Sequence, residues 1–105
     1  MAARLIVLYS PPDDPAVFDA HYRDVHTAIV QRYPGLRDLR LTRPAGVAGR
    51  DPAFHLMAEM AFDSLADLDT ALASDAGRES GMDLRNFAGA GVTMLIADDE
   101  ATFDA

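Results

Sequence analysis

Three apolar runs of strand length, a fourth run that alternates apolar with polar residues, and two stretches bounded by helix caps and breakers, in the order βαββαβ, predict an α+β fold: a ferredoxin-like antiparallel sheet with both helices on one face. Three of the four strand runs are apolar or mixed on both sides, whereas an antiparallel sheet with one wet face alternates apolar with polar residues. Two short helices cover one face only. The other face is therefore expected to be an association surface, closed most simply by a twofold homodimer. The 105 residues are the length of one domain, expected over residues 1–97 with an acidic tail at 98–105.

The first strand is the run from Arg4 to Ser10, rich in β-formers. Its Leu5, Val7 and Tyr9 lie on one face and Ile6 and Leu8 on the other. Asp14 followed by Pro15 reads as an N-cap with proline at the first helical position, and the helix runs to about Tyr33 before Pro34 and Gly35 stop it. Leu36 to Arg43 is the second strand. Arg37 and Arg43 share one of its faces and Arg40 the other, which is the charge of a solvated edge strand rather than one anion patch. Pro44 to Pro52 carries too many breakers for regular structure. Phe54 to Phe62 is the third strand. Ser64 to Asp67 follows the capping-box pattern and opens a second helix through about Ala73. Gly77 and Gly81 predict one or two broken helical turns between Ser74 and Ala88. Gly91 to Ala97 is the last strand, with Val92, Met94 and Ile96 opposite Thr93 and Leu95.

Composition removes whole classes of function. There is no Cys, hence no disulfide, thiolate nucleophile or cysteine-based metal site. Seventeen acids stand against nine bases, a net charge of −8, and all nine bases are Arg. That field repels phosphate backbones and anionic headgroups, so neither nucleic acid nor membrane is an expected partner. Without Lys there is no Schiff-base chemistry. No nucleophile-elbow, P-loop or dinucleotide-binding glycine motif occurs. No apolar run reaches the roughly 20 residues of a membrane span, and the first ten residues do not have the form of a signal peptide. A cytoplasmic location is expected.

Three histidines remain as chemistry-bearing groups. With Phe18 placed at 0° and about 100° per residue, Tyr22, Val25, Ile29 and Tyr33 form an apolar stripe centred near about 30°. His26 falls at about 80°, on the inward edge of that stripe, and His21 at about 300°, toward solvent or a partner chain. His26 is therefore the candidate acid–base or hydrogen-bonding residue, its ordinary pKa of about 6.5 making both proton states accessible. A half-buried core histidine that satisfies one ring nitrogen is the alternative reading. His21 and His26 lie about 140° apart on an ideal helix and cannot chelate as an i, i+4 pair does. His55 and Glu59 are about 13 Å apart along a strand. No metal site is expected.

The segment from Phe18 to His26, with Tyr33 to Arg37 after it, resembles the first helix and turn of the EthD-type family of dimeric α+β-barrel proteins. Phe62 to Leu65, Ala73 to Asp75 and Asp83 to Ala88 before a glycine-led strand are similar to that family's second half. The resemblance implies a ferredoxin-like protomer that dimerises sheet to sheet, with His26 on the family's helix histidine. Where the family follows that histidine with Pro-Leu, Thr27, Ala28 and Ile29 stand here, which implies a straighter helix. The family and its relatives include isomerases, decarboxylases and cyclases that work without a cofactor on lactones, phenols and polyketide-like rings. The resemblance thus implies a lyase or isomerase of aromatic-compound catabolism with no cofactor. In it His26 moves a proton, Tyr22, His55 or Asp83 orients the substrate, and Phe18, Leu56, Met60, Phe87 and Met94 line the ring pocket. Two other readings stand beside it: a non-catalytic accessory or ligand-binding dimer, and a haem-binding or monooxygenase relative with His26 or His55 as axial ligand.

Overall fold

The computed structural model describes residues 2–104; Met1, and Ala105 at the end of the expected tail, lie outside the described residues. Four strands, β1 (Ala3–Tyr9), β2 (Asp38–Thr42), β3 (Leu56–Phe62) and β4 (Val92–Ala97), form one antiparallel sheet in the order β2-β3-β1-β4. The α+β, ferredoxin-like arrangement expected from the element order is the one observed. β1 and β3 hold the centre because their apolar residues are the most continuous. In both, every second side chain is fully buried against the helices: Ala3, Leu5, Val7 and Tyr9 in one, Leu56, Ala58, Met60 and Phe62 in the other.

The opposite face of those strands carries Ile6, Leu8, Met57 and Ala61, which are only partly covered. Leu95 of β4 pairs with Ile6 and is 45% exposed on the same side. Charge enters this surface along β3 and the β2 edge, where Glu59 pairs loosely with Arg4 at 3.8 Å and stands opposite Arg40, itself 3.7 Å from Asp38.

β2 is shorter than the expected Leu36 to Arg43, and three other stretches depart from the sequence expectation. β3 begins at Leu56 rather than Phe54. The first helix is not one regular helix: α1 (Pro15–His21) passes without a break into a π turn (Tyr22–His26) and then α2 (Thr27–Val30). Asp14 caps its start, accepting from the Val17 N–H at 3.2 Å, and Gly35, at φ +76°, carries the turn beyond it. The straighter helix that Thr27 and Ala28 imply is thus corrected. Removing a proline did not regularise the helix, because the Thr27 N–H bonds back five residues to the Tyr22 carbonyl.

The third departure lies after α3 (Leu65–Ala73). In place of broken turns there is a full helix, α4 (Asp75–Phe87). Ser74 caps it, its hydroxyl accepting from the Gly77 N–H at 3.1 Å. Gly77 is not a breaker but a point of contact. A Cβ there would sit 2.3 Å from the Leu72 carbonyl and 2.4 Å from that of Ala71, so only glycine lets α4 start so close to the end of α3. Among the described residues, no helix is long and apolar enough to cross a membrane.

Candidate active site

The π turn does something the ideal-helix projection excludes. Its hydrogen bonds close over five residues rather than four, so residues i and i+5 stack on one side. His21 and His26 are such a pair, and both reach the same carboxylate. His26 Nδ1 lies 2.8 Å from Asp83 Oδ2, and His21 Nε2 lies 2.9 Å from Oδ1. Asn86, one turn further along α4, donates its amide to Oδ1 at 3.0 Å. The expectation that His21 turns toward solvent or a partner is corrected: it is only 24% exposed and bound to α4. Asp83 was expected to orient substrate; it stands instead behind the imidazole, at 6% exposure.

Electrostatics fix the resting proton states. Burial alone would push the Asp83 carboxyl up, but hydrogen bonds from Asn86, His26 and His21 outweigh it and hold the group below its ordinary value. Asp83 is a carboxylate. Burial pulls His26 below its ordinary value, although the Asp83 carboxylate pulls the other way. At neutral pH His26 is therefore an uncharged imidazole whose one ring proton sits on Nδ1, donated to Asp83. That leaves Nε2 as a bare lone pair.

His26 lines a cavity of about 150 Å³ between the helices and the sheet. Leu5, Val7, Val30, Met60 and Leu84 supply apolar wall, and Gly77 and Gly81 of α4 leave room in it. Tyr9, Tyr33 and Ser80 are the other polar side chains that face it. The Ser80 hydroxyl donates to the Gly77 carbonyl at 2.9 Å, so the proton between Tyr33 and Ser80 belongs to Tyr33. Tyr33 thus offers the cavity an oxygen lone pair. Burial raises both phenols, Tyr9 and Tyr33, so both stay protonated across the working pH range. Met94 of β4 also lines the cavity and is 51% exposed.

Of the residues singled out in the sequence, His26, Met60 and Met94 line this cavity together. Phe18, Tyr22 and Phe87 form the aromatic packing beside it rather than its wall, with Phe87 4.8 Å from the His26 ring and 5.1 Å from that of Phe18. The Tyr22 hydroxyl is buried, and its nearness to that of Tyr9 adds to the burial that raises the Tyr9 phenol. Leu56 belongs to the core below α1 and borders an outer groove along β2. His55 lies elsewhere. Its Nε2 is 2.8 Å from Asp19 Oδ1, and Arg43 completes that cluster at 3.3 Å from Asp19. Sequence reasoning passed over Tyr9, Tyr33 and Ser80 as site residues. For Tyr9 the signal was present, since it shares the inward face of Leu5 and Val7. For Ser80 there was none.

The cavity and the histidines also decide which prosthetic groups fit. A cavity of this volume takes a single ring, so a haem macrocycle does not fit at His26, and the Nε2 of His55 is engaged by Asp19. Among the described residues, no cluster of three or more His, Asp or Glu is placed to hold a metal ion.

Comparison with known proteins agrees with this layout. The model of the EthD domain matches residues 10–91. The chain belongs to the EthD family. An EthD family protein of Bacillus halodurans superposes with a TM-score of 0.88 at 38% identity, over 95% of this chain and 100% of that one. A curated relative, the uncharacterized 11.0 kDa protein in the thcB-thcC intergenic region of Rhodococcus erythropolis, is 36% identical over 92% of this chain and 94% of its own length. The hydroxynitrile lyase of Passiflora edulis has the same fold, with a TM-score of 0.73 at 19% identity over 98% of this chain and 97% of that one. Two further structures of the same fold, from Bacteroides fragilis and Jannaschia, are described as dimeric and ferredoxin-like.

Proposed function

We propose that this EthD protein is a small-molecule enzyme, a lyase or isomerase, in which His26 transfers a proton to or from a small aromatic or lactone-type compound held between helix and sheet. The observation that carries the reading is the 2.8 Å contact between His26 Nδ1 and the buried Asp83 carboxylate, which orients Nε2 as a base beside a cavity. In the forward step Nε2 takes the proton from an acidic O–H or C–H of the substrate. The electron pair of that bond drives out a leaving group or moves into an enolate. The imidazolium so formed is neutralised by Asp83, and Tyr9, still protonated, is the donor available to a developing oxyanion. Returning the proton from Nε2 to the departing group or to a neighbouring carbon completes the cycle. No other group is required. Proteins of this fold include a cofactor-independent oxygenase of Streptomyces nogalater and the Passiflora lyase, which is compatible with chemistry of this kind.

Two copies are proposed to pair through the apolar faces that carry Ile6, Leu8, Met57 and Leu95, burying what one copy leaves open. The test of function is turnover. On a panel of small phenols, lactones and hydroxy-carbonyl compounds, His26→Ala is expected to lose about 10²-fold or more of any activity the wild type shows. A change within about threefold removes His26 from the mechanism.

One observation favours the alternative of a non-catalytic ligand carrier: both phenols are raised by burial, so His26 is the one cavity group able to change charge near neutrality. In that case the wild type binds panel members and turns over none.

A further inference from the structure

The proton inventory of the cavity, together with its size and charge, selects a ligand class narrower than the function above. The groups facing it are two acceptors and a phenol: the bare Nε2 of His26, the Tyr33 oxygen whose proton goes to Ser80, and the Tyr9 hydroxyl. A buried acceptor left unpaired costs about 1–3 kcal/mol, so a well-held ligand brings a hydroxyl donor. The lining has no compensating cation. None of the described residues that line the cavity is Arg, the chain has no Lys, and the Asp83 carboxylate stands directly behind His26. Anions are therefore disfavoured. The volume of about 150 Å³ is that of a pocket filled by one benzene-sized ring, and the walls are Leu5, Val7, Val30, Met60 and Leu84.

We infer that the ligand is a neutral, single-ring compound bearing a free hydroxyl, a phenol or a cyclic enol or alcohol, bound with its O–H on His26 Nε2 and its ring against Val7, Val30 and Met60. This rests on the proposed role of His26 and removes the fused polyketide-like rings and the aromatic carboxylates from the candidates. In such a complex the hydroxyl proton already lies on the line of transfer to the base, and the ring needs no charged partner.

The test uses wild-type protein and five probes of graded chemistry, followed through the methyl signals of Met60 and Met94 and the ring nitrogens of His26. Phenol is expected to bind saturably and to shift His26 Nε2. Toluene, of equal size without a donor, and anisole, with the hydroxyl capped, are expected to bind at least tenfold more weakly. Benzoate and 2-naphthol are expected not to compete with phenol, the first for its charge and the second for its size. His26→Phe is expected to erase the preference for phenol over toluene, and the probe series decides the matter even if that variant fails to fold. Equal binding of toluene and phenol overturns the donor requirement. Binding of benzoate or 2-naphthol as tight as that of phenol overturns the charge or size limit, and no saturation by phenol overturns the assignment altogether. These outcomes are separate from turnover. If activity is His26-dependent but the probe order fails, the ligand class is wrong and the base stands; if activity ignores His26, the base is wrong whatever phenol does.

Discussion

Asp83 joins three side chains that are remote or unremarkable in the sequence. Its two oxygens accept hydrogen bonds from His26, His21 and Asn86, so its charge orients the imidazole and limits how much of that charge His26 can draw on. Asp83→Asn removes the charge and leaves one oxygen for three donors. A loss of about 2 kcal/mol of stability is expected, together with at least a tenfold fall in any turnover, measured by chemical denaturation and by initial rates. Acid should act in two stages. His26 sits below its ordinary value of 6.5 in the fold, so the unfolded chain takes its proton first and stability begins to fall as pH drops below 6.5. Asp83 sits below its ordinary 3.8, so its contribution is present above that value and is lost as pH falls through the folded-state pKa. Melting temperatures measured from pH 8 to pH 3 should show the first stage in wild type and lack it in His26→Phe. Sequence alone made the inward turn of His26 legible, because Phe18, Tyr22, Ile29 and Tyr33 fix the buried stripe beside it; Val25, expected in the same stripe, is instead 42% exposed, displaced by the π turn. His21 was illegible, since its position depends on a π turn and 100° per residue places it elsewhere.

The elements repeat that division. Strands and their faces could be read from alternation and apolar runs, and the Asp14 and Ser64 caps from residue type, because each is a local preference that the tertiary structure did not override. Helix α4 could not. Glycine lowers helix propensity at both 77 and 81, and the compensation comes from contact with α3, which no single window contains. The two glycines should therefore part company. Gly77→Ala is expected to destabilise by more than 1 kcal/mol despite its better propensity, since its Cβ meets two backbone carbonyls. At Gly81 a Cβ meets nothing within 4 Å, and Gly81→Ala is expected to stabilise by about 0.5–1 kcal/mol. Urea titrations of the two variants check both signs.

For the whole molecule, the two faces of the sheet carry the two proposals, pairing and chemistry. Its inner face closes the cavity, and its outer face carries Ile6, Leu8, Met57 and Leu95, with the charges Arg4, Glu59, Asp38 and Arg40 toward one end and the β2 edge. Leu8→Glu, at the centre of that face, is expected to convert a two-copy particle at micromolar concentration into single copies, read by sedimentation equilibrium; a wild type that sediments as one copy contradicts the pairing. What composition could exclude at this scale, from lysine chemistry to phosphate partners, followed from charge and residue counts alone. What it could not supply was the identity of the cavity, since a volume bounded by β1, α2 and α4 exists only once all three have packed. The imidazole inside that volume carries the functional reading, and long-range proton–nitrogen spectra of the histidine rings observe it without any substrate. At pH 7 the expected result for His26 is a neutral ring protonated at Nδ1 and bare at Nε2, with a midpoint below 6.5. A charged ring at pH 7, or a neutral one with its proton on Nε2, contradicts the base that the cavity is built around.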